Sequence, residues 1–129
     1  MNLLLDTNTI INFLKNDNDI YNLPSLFLQH NCLTSVIVKL ELLKYPDITQ
    51  EEEQSINEFL SLIPIIPISL PIENETIKIS RSSSLKLPDA IIAATAIIYD
   101  AEIVTGDPHF QKCHYEKLKI WQNNSKQSY

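Results

Sequence analysis

Short, continuously apolar runs alternate along this chain with segments whose apolar residues recur at helical spacing. Runs at residues 2–5, 31–34, 64–68, 102–105 and 118–121 have strand length and leave little room for a helix. The first, Asn2-Leu3-Leu4-Leu5, does not alternate, as expected of a strand covered on both faces. Between the runs, Thr49-Gln50-Glu51-Glu52 reads as a capping box. It opens a predicted helix through Ile56, Phe59, Leu60 and Ile63, which Pro64 ends. Ser35 can cap a helix over Val36-Ile37-Val38-Lys39-Leu40-Glu41-Leu42-Leu43. Pro71 suits the first turn of another, with Ile72, Thr76 and Ile79 on its apolar face, and Pro88 suits one running to about Tyr99. Strands alternating with helices predict parallel pairing through right-handed crossovers, and hence a three-layer α/β/α domain.

The length of 129 residues fits one domain with a core of its own, spanning residues 1–122, with the polar residues 123–129 expected to fray. The composition, 44% apolar and 20% charged, is that of an ordinary globular protein. No run approaches the length of a membrane span, and the N-terminus shows no secretory leader, so a cytoplasmic protein is expected. Cys32 and Cys113 share no metal-finger spacing, and both thiols are expected to stay reduced. The net charge of −6 excludes broad, charge-driven binding of nucleic acid but not a nuclease. Arg81 is the only arginine, leaving phosphate contacts to lysines such as Lys39, Lys44, Lys86 and Lys112, for each of which solvated surface is the simpler reading.

Chemistry enters with four acids, each at the edge of an apolar segment: Asp6, Glu41, Asp89 and Asp107. Asp6 and Asp107 follow predicted strands, on the carboxyl side where open α/β sheets bind ligands. Asp89 lies in a first helical turn and Glu41 about two turns into its helix. Taken singly, Asp6 could be a cap, Asp89 a helix-dipole partner and Asp107 a turn former. Glu41 on an apolar helix face is harder to dismiss, because an unpaired buried carboxylate is costly. Four acids flanking one sheet edge point to a shared site. Two carboxylates about 4 Å apart repel by roughly 4 kcal/mol at an effective dielectric of about 20, so such a cluster takes up protons or a cation. All-oxygen donors suit Mg²⁺ or Mn²⁺, which usually meets a phosphate. Phosphodiester hydrolysis is the chemistry that follows.

These residues carry a resemblance. Leu4-Leu5-Asp6-Thr7-Asn8 and Leu40-Glu41-Leu42-Leu43 resemble the first two motifs of the PIN domain. Leu87-Pro88-Asp89-Ala90-Ile91-Ile92-Ala93-Ala94-Thr95-Ala96 is similar to its third motif and Val104-Thr105-Gly106-Asp107-Pro108-His109-Phe110 to its fourth, all in the family's order. The branch they resemble most is the VapC-type toxins of toxin–antitoxin pairs. The resemblance implies a parallel five-stranded sheet and a Mg²⁺- or Mn²⁺-dependent endoribonuclease acting on RNA. It makes Asp6, Glu41, Asp89 and Asp107 the catalytic and metal-binding set, with Asp6 and Asp89 as principal direct ligands. It gives Thr7, Asn8 and Thr105 the task of orienting carboxylates. It further implies a small antitoxin that blocks the site, and a homodimer.

The chain departs from the family pattern at two places. Lys44-Tyr45-Pro46 follows the helical Glu where the family often has Gly, and Gly106 precedes the fourth acid where a basic residue is common. His30, His109 and His114 have no partner at ligand spacing and read as structural, and Trp121 and Ile120 read as core. Two other functions compete. A non-catalytic PIN-like module for RNA or protein association need not keep four acids. A phosphatase with a first-strand Asp nucleophile usually carries a second Asp two residues on, where this chain has Asn8.

Overall fold

The computed structural model describes residues 1–15 and 22–122; the tail expected at 123–129 lies outside them. Among these residues, four parallel strands form a sheet: β1 (Asn2–Leu5), β2 (Asn31–Ser35), β3 (Ile65–Ile66) and β4 (Ala101–Val104), in the order β3-β2-β1-β4. β1 takes the interior place because it is apolar on both faces, with Leu3, Leu4 and Leu5 all at 0% exposure. It pairs Leu3 with Cys32 on one side and Leu5 with Val104 on the other.

The sheet differs from expectation at its two edges, and each difference has a local cause. β3 shrinks from the predicted 64–68 to two residues because Pro64 and Pro67 bracket it and neither has an N–H for the ladder. The fifth strand, expected at 118–121, is reduced to one parallel bridge between Ile120 and Ile103. A turn from Tyr115 to Leu118 immediately before it leaves no length for a longer ladder. The sheet therefore has four strands rather than five.

Helices cover both faces. α1 (Thr7–Leu14) and α2 (Leu23–Gln29) join β1 to β2, and α3 (Val36–Leu43) and α4 (Gln50–Leu60) join β2 to β3. α5 (Leu70–Ser82) and α6 (Leu87–Ile98) lead to β4, and α7 (Pro108–Gln111) follows it. Ser35 caps α3, and the Thr49–Glu52 capping box opens α4 with both reciprocal bonds formed. α4 stops at Leu60, short of Ile63, as the Ser61 hydroxyl donates to the Glu58 carbonyl and Leu62 N turns back to Phe59. On α6, Ala90, Ala93, Ala94 and Ala96 are fully buried, and these small side chains let the helix sit close to its neighbours α5 and β4.

The chain builds outward from β1 through β2 to β3, then returns to lay β4 on the opposite side of β1. That reversal sets the carboxyl ends of β1 and β4 side by side, at the kind of switch point where open α/β sheets bind ligands.

Candidate active site

Asp6 is the first residue past β1 and the N-cap of α1. Its Oδ1 accepts from the Thr9 backbone N–H at 2.9 Å, and its Oδ2 accepts from the Thr105 hydroxyl. The Thr9 hydroxyl donates to the Val104 carbonyl at 2.9 Å, tying the start of α1 to the end of β4. Asp6 is 3% exposed, so both oxygens are held in fixed directions rather than solvated.

Thr105 is a junction. While donating to Asp6, its hydroxyl oxygen accepts from the Asp107 backbone N–H at 2.9 Å. Asp107 then caps α7, with Oδ1 accepting from the His109 N–H and lying 2.9 Å from His109 Nδ1. On the facing side, Glu41 projects from α3 and accepts from the Thr7 hydroxyl at 2.7 Å. Asp89 stands half-buried in the first turn of α6. All four carboxylates line one polar cleft of about 170 Å³, together with Thr7, Asn8, Lys44 and Tyr45 and the apolar wall Ile11, Ile92 and Phe110.

Electrostatics shows that these acids sense one another. Burial is the main cause pushing the Asp6 carboxyl above its ordinary range; the bonds from Thr105 and Thr9 oppose the rise and Asp107 adds to it. Asp89 is also raised, by burial first and then by the charges of Asp107, Glu41 and Asp6, with His109 opposing. The cleft thus has a negative field that a proton or a cation would relieve.

The PIN-domain family model matches residues 3–114, which include all four acids. The chain belongs to the PIN-domain family. Solved structures that resemble this PIN domain belong to toxin–antitoxin complexes. VapBC2 from Rickettsia felis, bound to a promoter DNA fragment, has a TM-score of 0.77 at 23% identity, covering 95% of this chain and 100% of that one. VapBC-1 from nontypeable Haemophilus influenzae gives a TM-score of 0.74 at 25% identity, with 95% and 98% covered. A toxin–antitoxin complex from Klebsiella pneumoniae gives 0.71 at 27% identity, with 92% and 99% covered. No curated protein matches the sequence.

As the side chains stand, no group of three acidic, histidine or cysteine residues among those described is gathered tightly enough to hold a metal ion. The donor set of this PIN domain nevertheless fits a hard divalent ion. Such an ion takes one or two carboxylates and keeps several waters, which suits an open all-oxygen cleft better than a closed cage. A zinc-type site is not supported, since His109 is the imidazole nearest the acids and it is 75% exposed.

Thr7 and Thr105 each bond a candidate carboxylate, and Asn8 is exposed on the cleft wall. Three residues given other readings in the sequence also belong to this neighbourhood. His109 bonds Asp107, for which the signal was its place two residues past a helix-capping Asp. Lys44 and Tyr45 line the cleft, one helical turn beyond Glu41.

No helix among the described residues is long and apolar enough to cross a membrane. Both cysteines are free, Cys32 buried and Cys113 partly so.

Proposed function

We propose that this PIN domain is a Mg²⁺- or Mn²⁺-dependent endoribonuclease and the toxin component of a type II toxin–antitoxin pair. The observation that carries the reading is that Asp6, Glu41, Asp89 and Asp107 come from four separate segments and line one cleft at the carboxyl edge of the sheet. Asp6 and Asp89 are the direct ligands, and Glu41 and Asp107 complete the set. When bound, the divalent ion neutralises phosphate charge and acidifies a water, the requirements for hydrolysing a phosphodiester.

The chain's own residues supply fixed geometry. Thr9 and Thr105 hold the two Asp6 oxygens apart and in place, and Thr7 anchors Glu41 from the first turn of α1. Through Thr105 the two loops leaving β1 and β4 move as one, so Asp6 and Asp107 keep their mutual position as RNA enters. Ile11, Ile92 and Phe110 close one wall of the cleft against solvent, where charges act more strongly. The structural likeness to toxin–antitoxin complexes supports an antitoxin partner; the reading has that partner block the cleft and includes a cytoplasmic homodimer.

The test is cleavage of a mixed RNA substrate with Mg²⁺, Mn²⁺ or EDTA, comparing the wild type with Asp6→Asn and Asp89→Asn. Cleavage that needs metal and is lost in both folded variants supports the proposal. No cleavage with either metal, together with no metal-induced rise in melting temperature, overturns it. Light scattering against the 14.8 kDa chain mass checks the dimer.

A further inference from the structure

Lys44 and Tyr45 follow α3 directly, and both line the cleft that holds the four carboxylates. Lys44 Nζ lies 5.5 Å from the centroid of the Tyr45 ring. Tyr45 is 51% exposed, a large aromatic left in water at the mouth of a polar cleft. Pro46 follows it and restricts its backbone, which sets the ring on a stiff stem.

The charge balance shows why such a ring matters. The chain carries a net charge of −6, and among the described residues lining the cleft Lys44 is the one cation beside four carboxylates. Long-range attraction therefore contributes little to holding a polyanion here. Beyond the contact of a bound metal ion with phosphate, affinity can come from contacts that do not depend on net charge, such as a base stacked on an aromatic face.

We infer that Tyr45 is a stacking platform for an unpaired base next to the scissile bond, and that Lys44 contacts the adjoining phosphate. This rests on the nuclease reading and assigns base contact and phosphate contact at that site to two residues of this chain. In an A-form duplex each base is already stacked on its neighbours, so the Tyr45 ring has no face to meet; in a loop a base can splay out onto it. The neighbouring ammonium strengthens the arrangement by sitting near both the ring and the strand's backbone. The pair would set which RNA structures are cut, while the carboxylates set the chemistry.

The experiment has two arms. Binding of a labelled hairpin RNA with an unpaired loop, and of a fully paired duplex, is measured in Mg²⁺ on the Asp89→Asn background, which keeps the RNA intact. Cleavage of the same RNAs is measured on the otherwise wild-type protein. Tyr45→Ala should weaken hairpin binding and raise KM by about 5- to 160-fold with little change in kcat, the range expected for one lost base stack. Tyr45→Phe should restore both, since the ring and not the hydroxyl does the stacking. Lys44→Ala should weaken binding less and flatten its salt dependence. The inference is overturned if Tyr45→Ala binds the hairpin like its parent, if Tyr45→Phe fails to restore binding, or if the duplex binds as tightly as the hairpin. An unaffected RNA affinity would assign the exposed ring to a protein contact instead. Metal-dependent cleavage that survives any of these results leaves the nuclease reading standing, so the two can fail separately.

Discussion

Replacing Thr105 with Val tests whether the site's order comes from a single hydroxyl. Valine has nearly the same shape, and Thr105 is 2% exposed, so packing is preserved while two hydrogen bonds are lost. The bond to the buried Asp6 carboxylate is worth about 1.5–3 kcal/mol, and that from the Asp107 N–H about 0.5–1.5 kcal/mol. The sum is roughly 2–4.5 kcal/mol, which lowers the melting temperature by roughly 8–18 °C for a domain of this size. The pH dependence separates the two contributions. Thr105 opposes the rise in the Asp6 pKa, so its bond favours the ionised form. That part of the stability is present above the Asp6 range and is lost as pH falls through it; the Asp107 N–H part does not titrate. Thermal unfolding of the metal-free protein should therefore show a larger penalty at high pH, where Asp6 is ionised, than at low pH, where it is protonated. Thr105→Ser should recover most of the loss. A penalty of equal size at both pH values, or a Ser variant as unstable as Val, would refute the reasoning.

Asp89→Asn should raise the melting temperature of the metal-free protein, and the gain should grow as pH rises above about 4. A carboxyl whose folded pKa is raised loses stability as it ionises. The same variant should lose the upward shift that Mg²⁺ gives the wild type, read in one thermal scan with and without metal. Away from the cleft, Glu75 on α5 is 6% exposed and accepts from the Tyr115 hydroxyl at 2.5 Å, with Lys117 Nζ at 3.8 Å. Tyr115→Phe should cost about 1–2 kcal/mol in urea unfolding. That bond holds the Tyr115 pKa up to about 12, so its contribution should persist through neutral pH and be lost progressively between about pH 10 and 12. Burial pushes the Cys32 thiol up to about 11, so a disulfide-exchange reagent should label Cys113 first in the native protein and Cys32 only on unfolding.

What could be read from the sequence were features with local causes. Leu3-Leu4-Leu5, the Thr49–Glu52 box and the prolines at 71 and 88 each act within a few residues, and their elements formed where expected. The fifth strand was not legible because Ile120 is apolar in either outcome; what limits it is the Tyr115–Leu118 turn, an arrangement of hydrogen bonds. α2 was missed because Leu23-Pro24-Ser25-Leu26-Phe27-Leu28-Gln29 is short, and its entry depends on Asn22 adopting a positive φ of 53°. In the site, the acids were visible from their places at element ends. Their partners Thr7 and Thr105 were legible through the motif resemblance alone, since by residue type they are ordinary turn residues; the fold sets them against Glu41 and Asp6. Nothing local to Glu75 marks it out, and only the return of the C-terminal segment gives it a phenol to accept from.

The hydroxyl of Thr105 reaches Asp6 across 99 positions of sequence, and β4 is the last strand to be made although it flanks the first. During synthesis β1 gains its second neighbour only once Ala101–Val104 is made, and Asp6 its second partner only with Thr105. A chain that stops short of Thr105 also lacks Asp107, and it leaves Asp6 with the Thr9 N–H as its one remaining bond of the two. On the proposed reading, the four-carboxylate cleft is complete only once translation has passed Asp107.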